Sequence, residues 1–152
     1  MTSDTAKQIG RIKAIIALVV AMAILEFSWF FSEAGGNWAN GLIFFIDAQM
    51  NPEVLIFFIL LFGITYFLGG KAAAGILERP EKYLAAGTKY GLLTSLIVIL
   101  YWTIVYILHN GFHVTFYQIM LVLPALLLIV TITSGWLWAA WQIMRKVKHT
   151  DL

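Results

Sequence analysis

Deep inside the first apolar run, which follows Arg11 and Lys13 and ends at Phe31, stands one carboxylate, Glu26. No other charged residue lies deep within any of the four long hydrophobic segments of the chain. An ionisable side chain at membrane depth is costly, and such residues mark proton relays, ion paths or contacts between helices. Counted from Lys13 at about 1.5 Å per helical residue, Glu26 sits roughly 20 Å from the boundary that Lys13 marks. The same count reaches about Phe58 on the second segment, Tyr101 to Thr103 on the third and Thr131 to Thr133 on the fourth. That layer offers hydroxyls and no Lys, Arg or His.

A carboxyl there, desolvated and without a cation, favours its neutral form. Two roles follow. Glu26 takes up and releases a proton or binds a cation during transport. Otherwise it is a neutral acid bonded to Tyr101, Thr103, Thr131, Thr133 or a partner subunit, or it reaches water at the outer interface. At 100° per residue, the small residues Ala14, Ala17 and Ala21 lie about 140° around the helix from Glu26. Glu26 shares its side with Val19, Met22, Trp29 and Glu33, so it faces a second chain if the alanines pack inward. The stretch Ala17 to Trp29, ALVVAMAILEFSW, resembles the first helix of the small multidrug-resistance exporters. In those four-helix proteins a first-helix Glu couples protons to cationic drugs, and the resemblance implies that role for Glu26. It covers about a dozen residues. The chain is longer, carries an extra segment after the first helix, and lacks that family's second-helix pattern.

His109 and His113 are four residues apart, a spacing that on a continuous helix would place two imidazoles on one side as metal ligands. Asn110-Gly111 between them predicts a tight turn over 109–113 instead. Glu33, Asp47 and Glu53 are expected on the same side of the membrane and could complete a zinc or copper site with the two histidines. No His lies within a span to ligate haem. The sequence identifies no cofactor; lipid is expected around the chain, and a metal at that face is the one alternative. No nucleophile–base spacing, Gly-rich phosphate loop or membrane acid pair supports catalysis, and the chain alone is read as non-catalytic. No basic run interleaved with aromatics suggests nucleic acid.

The elements that position these residues follow from composition. Of 152 residues, 61% are hydrophobic and 12% charged, and the mean hydropathy is +0.87. Soluble domains carry roughly a quarter charged residues, so the bilayer is the expected solvent. A hydrocarbon core of about 30 Å needs about 20 apolar residues per helix, and four such segments use nearly the whole chain. The expected fold is an all-α integral membrane protein: a bundle of four transmembrane helices in one domain, with a short extracytoplasmic interfacial helix. The spans are expected at about 11–32, 53–70, 84–108 and 114–146, and the interfacial helix at 38–49. Residues 1–10 are expected to be frayed, and the second helix may be followed to Glu78 before Pro80 stops it. Asn51-Pro52-Glu53 reads as a helix start, with Asn as cap, Pro at the first turn and an acid behind it.

All ten Lys and Arg fall at Lys7, Arg11, Lys13; at Lys71, Arg79, Lys82, Lys89; and at Arg145, Lys146, Lys148. With four spans these lie on one side, and the positive-inside rule makes that side, and both termini, cytoplasmic. The expected location is the cell's cytoplasmic membrane, crossed several times. Small-residue stripes at Ala17 and Ala21, at Gly87, Gly91 and Ser95, and at Thr131, Gly135 and Ala139 are expected to let helix backbones approach closely.

Four short helices enclose little volume. The leading expectation is therefore a small non-catalytic accessory or structural subunit of a larger membrane complex. One alternative is a homo-oligomeric transporter or channel with Glu26 as its coupling acid. Another is a membrane enzyme or electron-transfer subunit with a metal at the outer face. The expected partners are the bilayer and other membrane subunits or copies of the chain, with no nucleic acid.

Overall fold

The computed structural model describes residues 2–33, 35–110 and 117–150, and for residues 26, 28–33, 44, 45, 48, 49, 106, 109, 110, 117–124 and 150 it describes the backbone only. The chain is all α: α1 (Ser3–Glu33), α2 (Trp38–Gln49), α3 (Pro52–Glu78), α4 (Tyr83–Asn110) and α5 (Tyr117–Thr150), with one 3-10 turn at Pro80–Lys82. Helices α1, α3, α4 and α5 are each long and apolar enough to cross a bilayer. At 12 residues, α2 is too short to do so.

Local sequence explains the boundaries. Gly35 and Gly36 adopt positive φ (64° and 82°) and release α1, because only glycine enters that region without a Cβ penalty. Asn37 then accepts hydrogen bonds from the backbone N–H groups of Ala39 and Asn40 and opens α2. Asn51 accepts from the Glu53 N–H at 2.9 Å, with Pro52 in the first turn of α3. This start is the one the sequence predicts. At the other end of α3, Arg79 leaves the helix (φ −141°, ψ 79°) before Pro80.

Two expectations are corrected. Residues 3–10 form the first turns of α1 rather than a frayed tail. Ala6 and Gly10 are buried, and Gly10 lies against Gly69 and Ala73 of α3. Tertiary packing there outweighs the polar composition. At the far end, α4 continues through His109 and Asn110, so these two residues are helical rather than part of a turn. The described part of α4 ends at Asn110, and 111–113 lie outside the described residues.

Around the bundle the order is α3, α1, α5, α4, with α1 packed on both α3 and α5, α4 on α5, and a sparser seam between α3 and α4. The main core joins Ala14, Leu18 and Met22 of α1 to Phe57, Leu61, Leu68 and Ala72 of α3, Val98 of α4, and Ile132 and Trp136 of α5. A second cluster, Ala73, Ile76, Ala140, Ile143 and Val147, closes one end, with Tyr83 and Ala86 against it. That end gathers the start of α1, the end of α3, the start of α4 and the end of α5. The basic residues of these four segments therefore share one end of the bundle. Outward faces are apolar, as on Ile59, Leu60 and Phe67 of α3, Leu96, Leu100 and Ile104 of α4, and Val130 of α5. Such exposed faces suit a lipid solvent.

Candidate functional site

Helix crossings bring the small residues together. Gly91 of α4 meets Thr133 of α5 so closely that a Cβ on Gly91 would lie 2.7 Å from the Thr133 Cα. One turn away, a Cβ on Gly87 would sit 3.0 Å from the Leu137 Cα and 3.2 Å from the Ala140 Cβ. Gly135 approaches Ala17 of α1, where an added Cβ would be 3.2 Å from the Ala17 carbonyl oxygen. Ala21 and Ala139 are buried. Without a hydrophobic drive between helices in lipid, such close backbone packing supplies much of the association energy.

The tightest crossing involves Gly10 and Gly69, a pair that the small-residue stripes had not singled out. A Cβ on Gly69 would lie 2.8 Å from the Gly10 carbonyl oxygen and 2.9 Å from the Ala14 Cβ. The signal was present as Gly69, Gly70, Ala72 and Ala73 near the end of α3, opposite a Gly10–Ala14–Ala17 ridge. Beside it, the Arg11 guanidinium stacks on the Tyr66 ring at 4.5 Å and one of its nitrogens donates to the Tyr66 hydroxyl at 3.2 Å.

The hydroxyl layer is occupied in specific ways. Tyr101 donates to the Glu53 carbonyl at 2.6 Å, and its ring packs on Phe57 (4.9 Å) and edge-on against Trp102 (5.5 Å). The depth count along the sequence had set Tyr101 level with Phe58, and the structure sets it beside Phe57. Thr103 donates to the Ile99 carbonyl and Thr131 to the Leu127 carbonyl, both at 2.7 Å. These three hydroxyls thus spend their single proton on backbone, and what they retain is acceptor capacity. Thr133 differs, because its Oγ1 is buried without a hydrogen-bond partner. Glu26 lies on α1, and its side chain falls outside the described residues. On the face that the helical count gives to Glu26, Val19 is exposed and Met22 is buried at 4% exposure, so the core boundary runs through that face.

Among the described residues the buried polar side chains are Thr65, Thr94 and Ser95. Thr94 and Ser95 each donate at 2.8 Å to a carbonyl of their own helix, those of Tyr90 and Gly91. Thr65 Oγ1 has no partner. The histidine pair falls outside: the side chain of His109 and all of His113 are not described. Among the described residues no three His, Cys, Asp or Glu groups converge on a metal-sized site. Asp47 on α2 is exposed.

Cations at the basic end lie over aromatic rings. Lys71 stacks on Phe67 (4.6 Å), Arg145 on Trp141 (4.8 Å), Lys13 on Trp138 (5.6 Å) and Lys89 on Tyr90 (5.7 Å). Long basic chains laid along apolar rings keep their stems in hydrocarbon and their heads near water. No family model, curated protein or solved structure matches the chain.

Proposed function

We propose that the chain is a small non-catalytic subunit that completes or supports a larger membrane complex. The observation that carries this reading is the character of the interior. Among the described residues the fully buried polar side chains are Thr65, Thr94 and Ser95, the last two bonded within their own helix, and Thr133 Oγ1 and Arg11 Nε are further buried atoms without a partner. Among the described residues, apolar side chains and close glycine crossings fill the space between the helices. Work by such a chain falls on its outward faces. In this reading both termini are cytoplasmic in a cell membrane, because the basic residues gather at one end. The helix α2 lies at the opposite, extracytoplasmic interface, with Leu42, Ile43 and Ile46 in lipid and Asp47 in water. Reconstituted alone, the purified chain should leave vesicle permeability to protons and cations at the level of empty vesicles. A flux of its own would overturn the assignment.

The second reading, a homo-oligomeric transporter, rests on Glu26. The hydroxyls expected near it keep only acceptor capacity at Tyr101, Thr103 and Thr131. Those three suit a protonated carboxyl that donates, whereas the unpartnered Thr133 hydroxyl keeps a proton to donate to an ionised one. If Glu26 is the coupling acid, Glu26→Gln removes pH-dependent flux from vesicles. Unchanged flux would remove this reading. The third reading, an outer-face metal at His109 and His113, predicts bound zinc or copper in purified protein, lost in His109→Ala.

A further inference from the structure

The sparse seam between α3 and α4 opens at the basic end into a groove of about 360 Å³. Small-molecule sites span roughly 300–1,000 Å³. Its walls are Lys71, Gly75, Glu78 and Arg79 of α3 and its C-terminal cap, Lys82 of the 3-10 turn, and Ala85, Ala86, Lys89 and Tyr90 of α4, with Ala72 at its base. Four cations thus face one carboxylate. None of Lys71, Arg79, Lys82 and Lys89 forms an ion pair, and the one described salt bridge, Lys7–Asp4, lies elsewhere. The four like charges outnumber the single carboxylate of Glu78 and repel one another, and an anion placed among them relieves that repulsion.

Position 75 is exposed and unobstructed. A Cβ built on Gly75 would meet nothing within 4 Å, whereas those on Gly69, Gly87 and Gly91 would strike the neighbouring helix. Small side chains at Ala72, Gly75, Ala85 and Ala86 keep the groove open between two cationic rims.

Depth indicates the source of the anion. Lys71 and Glu78 are separated by seven residues of helix, about 10 Å along the axis. The headgroup layer on one side of a bilayer is about 5–8 Å thick. The cations therefore run from the hydrocarbon boundary to the water, along the depth of a phospholipid headgroup. Phe67, 59% exposed and one turn before Lys71 on α3, gives an acyl chain an apolar surface on the hydrocarbon side of the groove. We infer that the α3–α4 groove binds the phosphate of an anionic phospholipid, held by Arg79 and Lys82 at its mouth and Lys71 and Lys89 at its base. Basic pockets between transmembrane helices are suited to such headgroups.

The test uses the full chain in neutral detergent, titrated with soluble dihexanoyl phosphatidylglycerol, its phosphatidylcholine counterpart, and inorganic phosphate, with bound molecules counted by native mass. The expected result is one saturably bound phosphatidylglycerol per chain, preferred over phosphatidylcholine. Replacing Arg79 and Lys82 together by Gln weakens it by about 10- to 30-fold. Gly75→Leu keeps every charge, fills the open space and blocks binding while thermal unfolding stays unchanged, which separates occupancy from folding. Inorganic phosphate that competes with the lipid, and is itself lost in Gly75→Leu, assigns the same site to soluble phosphate. Failure to compete assigns it to the lipid headgroup. Equal retention of both lipids, or unaltered binding in the variants, overturns the inference.

Discussion

Thr133 and Gly91 meet at the closest point between α4 and α5, and their chemistry gives opposite predictions. A buried hydroxyl without a partner carries a desolvation cost that an apolar isostere removes. Thr133→Val should therefore leave stability unchanged or raise it, by up to about 1 kcal/mol. A clear loss in detergent unfolding would mean that the hydroxyl has a partner, such as Glu26. Gly91→Leu must push side-chain atoms into the α5 backbone, and overpacking of this kind costs about 1–3 kcal/mol. The same unfolding assay should register it as a marked loss, while Gly75→Leu on the open side of α3 should not. Tyr101→Phe belongs between the two. The Glu53 carbonyl also takes part in the first turn of α3, so losing the tyrosine donor should cost only about 0.6–1.5 kcal/mol.

At the scale of elements, periodicity and punctuation carried most of the information. Asn51-Pro52 and Arg79-Pro80 each bound α3 because capping and the missing proline N–H are local effects, decided by adjacent residues. The start of α1 is different. A local start is present, since Thr2 Oγ1 accepts from the Thr5 N–H and Asp4 lies in the first turn, and packing of Gly10 on Gly69 and Ala73, some sixty residues away, adds contacts that neighbouring residues do not reveal. The partners of Tyr101 were equally hidden. Counting fixed its depth to within a residue, but depth alone does not say which neighbouring backbone carbonyl captures the proton. Element order also makes a direct prediction about sidedness. The chain has no cysteine, so single cysteines can be introduced without background. A membrane-impermeant maleimide should label Asn40→Cys on α2 in intact cells, and label Thr2→Cys and Lys148→Cys only after lysis. Labelling of Thr2→Cys in intact cells would reverse the proposed orientation.

The described residues form a four-helix bundle with a packed apolar core, apolar outward faces and one cationic end. In the proposed reading the function lies on these outward faces, where other membrane chains would pack. Burial of an apolar face against lipid or against protein looks the same along a single chain, which is why composition revealed the solvent and not the partner. The most direct measurement is the native mass of the tagged chain after gentle extraction from its own membrane. The expected result is a stable complex in which this 17.1 kDa chain is joined at fixed stoichiometry to larger, different subunits. A species made only of copies of this chain would contradict it and place the Glu26 transporter reading first.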